Sequence, residues 1–115
     1  MHRQTVKIMP KSSEDKSKCV AFATTVLGDK WTPRLLFALS QKTLRFNELQ
    51  TEAGGVNPTT LSDRLSDLER LGIITKTIYS EVPPRTEYNL TEKGKDLLPV
   101  LKHMAVWGEK YFGKC

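Results

Sequence analysis

Three groups of residues in this 115-residue sequence have types and spacings that suit chemistry. The first is Cys19, which follows Lys16 and Lys18 and opens the apolar run CVAFATTVL. A cysteine at a helix start, beside lysines, has its thiolate favoured by the helix dipole and the nearby charge. The competing reading is a small thiol packed in a core. The second group is Thr59, Thr60, Ser62, Asp63 and Arg64, a run of short donors and acceptors of the kind that hydrogen-bonds base edges. Ordinary capping and solvation explain such a run equally well in isolation. The third is Arg85, behind Pro83 and Pro84 in SEVPPRTEY, residues 80–88. Two prolines fix φ at about −65° and supply no N–H, so they make a stiff, extended arm. An arginine at its end suits the negative potential of a narrow minor groove. Glu81, on the other side of the tip, restricts any such contact to a local one.

Two further cations stand just ahead of candidate helices. Arg45 precedes Asn47, and Lys30 precedes Trp31 and Thr32. Helix starts attract phosphate through their unpaired N–H groups, so both positions suit a polyanion; a plain surface charge is the alternative. Asp63 fits less easily. A carboxylate near DNA is costly unless it accepts from a cytosine amino group or pairs with an arginine such as Arg64 or Arg70.

Other chemistries find no footing. Cys19 and Cys115 are the only cysteines and His2 and His103 the only histidines, which argues against structural zinc or a disulfide framework. No nucleophile and base pair, metal spacing or phosphate loop can be assembled, so the chain is not read as an enzyme and no cofactor is expected. No apolar run approaches the roughly 18 residues of a membrane span, and the first residues lack a secretory apolar block, so a cytoplasmic protein is expected. The net charge of +5 is uneven. Residues 1–18 carry five Lys and Arg against two acids, residues 91–115 five Lys against three acids, and the middle is neutral. Bulk charge therefore does not by itself point to nucleic acid.

Helices and a hairpin must position these residues. Cys19 to Leu27 reads as a helix apolar almost all round, and hence buried on more than one side, stopped at Gly28 and Asp29. A second helix begins with Thr32 as cap and Pro33 in its first turn, a short third follows an Asn47 cap, and Gly54 and Gly55 break the chain. Asn57 and Pro58 restart it as the clearest element, 58–71, in which Leu61, Leu65, Leu68 and Leu71 form one stripe. At about 100° per residue, Thr59, Ser62, Asp63, Ser66 and Arg70 point away from that stripe. IITKTIYS and RTEYNL read as two strands around the proline arm, with Arg85, Glu87 and Asn89 on the wet side. Thr91 then caps one long helix, kinked at Pro99. Its apolar residues cover more than one stripe, which suggests a homodimer built from the first and last helices.

Helix, sharp turn, helix and hairpin in direct succession is the order of a winged helix-turn-helix, with 46–71 as the two-helix unit and 73–90 as the wing. The fold class is mainly α with a small β-hairpin. Residues 1–18 read as a polar, basic extension that need not be ordered, and 19–112 as the domain. Through LGDKWTPRLLFAL, RFNELQ, NPTTLSDRLSDLERLGII and YSEVPPRTEYNLTEKGKDLLPVL, the chain resembles the HxlR-type transcriptional regulators, relatives of the MarR winged helices. The resemblance runs collinearly from Cys19 to about residue 111. It implies a dimeric, double-stranded DNA-binding repressor or activator on an inverted-repeat operator, with 58–71 in the major groove and 80–86 at the minor groove. It also implies thiol sensing at Cys19, although the family's frequent Cys-Pro pair is Cys19-Val20 here. The alternative of a different class is a winged-helix module that binds protein without specific DNA binding.

Overall fold

The computed structural model describes residues 13–113, and everything structural below concerns those residues. In chain order the elements are α1 (Ser13–Leu27), α2 (Thr32–Gln41), β1 (Leu44–Arg45), α3 (Phe46–Glu52), α4 (Pro58–Arg70), β2 (Ile74–Tyr79), β3 (Arg85–Leu90), α5 (Glu92–Lys95) and α6 (Leu98–Phe112). Leucines set the core. Leu35, Leu36 and Leu39 of α2, Leu49 of α3 and Leu61, Leu65 and Leu68 of α4 are all buried, and Leu44, Ile73, Ile74 and Tyr88 bring the sheet onto them. At helical spacing these side chains form one face per helix, and the remaining face of each helix is left to solvent.

The sheet has three strands in the order β1-β3-β2, both pairings antiparallel. Its third strand was not expected, because two residues are too few to show a period of two. Leu44 pairs with Tyr88 and Arg45 with Glu87, which makes β3 the central strand. A central position explains why every residue of β3 is at least partly covered. The hairpin also closes more fully than the stiff-arm reading held. Strand pairing runs out to Tyr79 opposite Arg85, and only residues 80–84 form the tip.

The helices differ from expectation at both ends of the chain. α1 begins at Ser13 rather than Cys19, and it is not buried on several sides: residues 15–25 are exposed, with Val20 at 65% and Phe22 at 72%. The apolar run is real, but within this single chain only its end, Val26 and Leu27, packs against the core. The last helix is two helices rather than one with a kink. Pro99 stands in the first turn of α6, where its missing N–H has no partner to lose, and the chain turns between Lys95 and Leu98. Only Leu101 of α6 is buried, whereas Val100, Met104, Val106, Trp107, Tyr111 and Phe112 are exposed.

Two helix starts also use different caps. Thr32 does not cap α2; Asp29 does, accepting from the Trp31 and Thr32 backbone N–H groups at 2.8 Å each and from the Thr32 hydroxyl at 2.6 Å. Asn47 lies inside α3, whose cap position is Arg45, and the Arg45 N–H donates to Glu48 Oε1 at 2.9 Å. Asn57 and Thr91 cap as expected, Asn57 accepting from the Thr60 N–H at 3.0 Å and Thr91 from the Gly94 N–H at 3.1 Å.

Candidate nucleic-acid interface

The turn between α3 and α4 is pinned from both sides. Gly54 and Gly55 take φ of 97° and 82°, a backbone region that costs a side-chain-bearing residue strain. Arg34 Nη1 donates to the Ala53 carbonyl at 3.2 Å and Gln50 Nε2 to the Val56 carbonyl at 2.9 Å. The C-terminal end of α4 is pinned as well. Lys93 Nζ donates to the Leu71 carbonyl at 2.7 Å, and the Thr91 hydroxyl contacts the carbonyl oxygens of Gly72 at 2.6 Å and Ile73 at 3.0 Å. Gly94 sits so close behind that an added Cβ would lie 2.3 Å from the Ile73 carbonyl. α4 is thus held at both ends, and at its end it is tied to the strand that carries the wing.

With its leucine face buried, α4 leaves Thr59, Ser62, Asp63, Ser66 and Arg70 exposed, as the sequence predicts, while Thr60 and Arg64 are half-buried. The charges on the helix pair differently from expectation. Asp67, not Asp63, is the common partner, with its carboxylate oxygens 2.8 Å from Arg64 Nη2 and 2.8 Å from Arg70 Nη2. The spacing explains this: Asp67 stands three residues from each arginine, on the same side of the helix. Arg64 also lies 3.8 Å from Asp29. Burial pushes the Asp29 carboxyl up, but the Thr32 and Trp31 hydrogen bonds and the Arg64 charge together hold it below its ordinary value.

Lys30 follows Asp29 in the chain, and its contact is with Trp31 rather than with α4. Lys30 is exposed, with Nζ 4.7 Å from the centre of the Trp31 ring, and Trp31 packs partly against the core. Arg45 and Arg85 form a second group on the outer face of the sheet. Arg45 is opposite Glu87 in register, and Arg85 lies two residues before Glu87. Arg45 is exposed.

Arg85 is not the free end of an arm. It is the first residue of β3; its Nη1 is 3.1 Å from Glu81 Oε2, its Nε 3.2 Å from Glu87 Oε2, and its guanidinium carbon 4.1 Å from the centre of the Tyr79 ring. The Glu87 contact is one of charge alone, since Nε has no hydrogen-bond partner there. The side chain is only 26% exposed. From sequence Glu81 reads as an opposing charge at the tip, whereas the turn through residues 82–84 brings it onto Arg85. The outermost residue is apolar: Val82 is fully exposed.

Cys19 is far from these groups in the chain and is not at a helix start. It is the seventh residue of α1, in its second turn, so the dipole argument for a thiolate does not apply to it. It is exposed, which also removes the packed-thiol reading within one chain. Among the described residues no group of His, Cys, Asp and Glu could hold a metal ion, and no helix is long and apolar enough to cross a membrane.

An exposed second helix, fixed at both ends and followed directly by a hairpin, defines a protein of the winged helix-turn-helix class. The chain belongs to the HxlR-like helix-turn-helix family, whose model matches residues 26–115. It is 42% identical over 101 residues to the HTH-type transcriptional regulator YdeP of Bacillus subtilis, a match spanning 87% of this chain and 79% of YdeP. The structure resembles that of the redox regulator HypR in its oxidized form, with TM-score 0.76 and 36% identity over 80% of this chain and 95% of that one. It also resembles a protein described as a MarR-family transcriptional regulator from Porphyromonas gingivalis W83, with TM-score 0.77, 31% identity and 91% and 98% coverage. Such relatives are regulators, and no enzyme family is indicated.

Proposed function

We propose that this regulator binds one double-stranded DNA sequence as a homodimer, with α4 in the major groove and the wing at the minor groove. The carrying observation is α4 itself: its leucines are spent in the core, yet Thr59, Ser62, Asp63 and Ser66 stand exposed just after the Asn57 cap. Short polar groups near the start of such a helix are what base edges can read. Thr60 and Arg64, half-covered, act as the inner border of that face. Lys30 and Arg45 supply phosphate contacts at its flanks, and Arg85 supplies the wing contact.

A homodimer is supported by apolar surface that one chain leaves uncovered. Val20 and Phe22 on α1, with Met104, Val106, Trp107, Tyr111 and Phe112 on α6, have no reason to face water in a lone domain. Two copies related by a twofold axis would set their α4 helices about 34 Å apart, matching an inverted repeat. Thiol sensing at Cys19 is part of the same reading. It rests on the exposure of Cys19 and on the likeness to HypR, a redox regulator.

The test is recovery of bound fragments from sheared genomic DNA, followed by fluorescence anisotropy on the recovered duplex and on a scrambled duplex of equal length. Preference for the recovered duplex, weakening steeply with salt, is expected. Equal affinity for both duplexes, together with a stable protein partner in pull-downs, would favour a protein-interaction module instead.

A further inference from the structure

Arg85 is engaged three times over within its own hairpin: by Glu81, by Glu87 and by the Tyr79 ring. A guanidinium has five N–H donors, and Glu81 occupies those of Nη1, so a phosphate that approaches Nη1 must displace Glu81. The two acids differ in how firmly they hold it. Glu87 is a strand residue fixed in register opposite Thr77, with a side chain 22% exposed, and its contact with Nε is not a directed hydrogen bond. Glu81 belongs to the tip, is 48% exposed, and approaches Nη1 with both carboxylate oxygens, at 3.1 and 3.4 Å. The Glu81 pair is therefore the one that can open without disturbing the sheet.

We propose that Glu81 is a built-in competitor of DNA phosphate for Arg85, so that the wing engages DNA by exchanging one carboxylate for one phosphate. The planar carboxylate and the tetrahedral phosphate each offer two anionic oxygens that accept from a guanidinium N–H, so the exchange conserves the hydrogen bond and moves only the partner. Tyr79 and Glu87 stay in place and keep the guanidinium aimed while Glu81 swings out. The consequence is a wing that adds less to binding than a free arginine would, because each engagement must first break an existing ion pair. Glu81 thereby acts as a residue that limits the affinity of the wing for DNA. This rests on the reading of the wing as a DNA contact.

Four variants of the full chain decide it: Glu81→Gln, Arg85→Ala, the double variant, and Arg85→Lys, which keeps the charge. Each is checked for fold by circular dichroism, then titrated across a range of KCl concentrations with the recovered genomic duplex and its scrambled counterpart. Glu81→Gln is expected to bind about two- to fivefold more tightly, as expected from removing a partly exposed pair. Arg85→Ala is expected to weaken binding and to make the plot of log affinity against log salt shallower by about 0.9, one phosphate contact. Arg85→Lys should keep the wild-type slope. The gain from Glu81→Gln should vanish in the Arg85→Ala background. A gain that persists there means simple repulsion between Glu81 and DNA and overturns the exchange, as does an unchanged slope in Arg85→Ala. Wild-type protein that does not distinguish the two duplexes overturns the DNA-binding reading itself, and the exchange with it.

Discussion

The Asp29 carboxylate, which starts α2, stands 3.8 Å from the guanidinium of Arg64 on α4. One acid thus both caps a scaffold helix and touches the helix read as the DNA-contacting one. Removing it should act on stability first. Asp29→Ala is expected to lower unfolding free energy by about 0.5–2 kcal/mol, the usual loss for a helix cap, measured by urea denaturation. Asp29→Asn keeps an acceptor for the backbone N–H groups and should lose less.

The same residue gives a pH dependence with a definite sign. Its folded pKa is depressed below the ordinary 3.8, so its contribution is fully present above that value. The contribution is lost as pH falls through the lower folded value. The stability gap between wild type and Asp29→Asn should therefore be widest near neutral pH and shrink below about pH 4. Urea midpoints at pH 7 and pH 3 measure it. A gap that grows on acidification would contradict the assignment.

The two faces of α4 should separate cleanly. Leu65 is 2% exposed, so Leu65→Ala leaves a cavity and should cost about 2–5 kcal/mol of stability. Ser62 is exposed, and Ser62→Ala should change stability by less than about 0.5 kcal/mol. If Ser62 reads a base, discrimination between recovered and scrambled duplex should fall by about 1–3 kcal/mol, seen by anisotropy on the same samples. Loss of stability without loss of discrimination would return Ser62 to simple solvation.

What the sequence made legible was whatever repeats or caps locally. The α4 stripe through Leu61, Leu65 and Leu68, the Asn57 and Thr91 caps, the break at Gly54 and Gly55 and the winged order all depend on neighbours a few residues apart, whereas Leu71, also expected in the stripe, caps the end of α4 and is exposed. What stayed hidden depends on distance. β1 exists only because β3 passes beside it, and the Asp29 cap took a place that Thr32 also fitted. Arg85 stands out in the sequence behind its two prolines, but its partners Tyr79 and Glu87 face it only once the strands pair. The apolar content of α1 suggested burial, and only the fold revealed that one chain does not supply it.

Gly94 tests the junction between the wing and the last helices. An added methyl group would stand 2.3 Å from the Ile73 carbonyl oxygen and 3.1 Å from Leu90 Cδ2. Backbone cannot yield as a flexible side chain would, so Gly94→Ala should destabilise by about 1–3 kcal/mol. Because Thr91 and Lys93 bond the carbonyls that follow α4, amide exchange at Ile73 and Ile74 should speed up before exchange in α2 does. Equal acceleration everywhere would mean that the junction is no weaker than the rest.

Cys19 is exposed on α1 of the single chain, so it should react in any state in which α1 is not covered by the partner copy. Cys19→Ser is expected to lose one rapidly titrating thiol under native conditions. If oxidation of that thiol controls the regulator, diamide should change the affinity of wild type for the recovered duplex and leave Cys19→Ser unchanged. An equal response in both proteins would exclude Cys19 as the sensing group.

Trp107 offers the most direct test of the dimer. It is 59% exposed in the single chain and packs with its ring centre 5.3 Å from Tyr111 and 5.8 Å from Phe112, forming an aromatic cluster at the end of α6. Placing a charge there costs a lone domain little, because the side chain already meets water. In a dimer sealed by α1 and α6 the same charge would be buried without a partner, at a cost of several kcal/mol. Trp107→Glu should therefore melt as a folded protein yet sediment as a monomer at concentrations where wild type is dimeric. Since two α4 helices are needed for an inverted repeat, its affinity for the recovered duplex should fall far more than that of Ser62→Ala. A Trp107→Glu protein that sediments like wild type would place the dimer contact elsewhere than this end of α6.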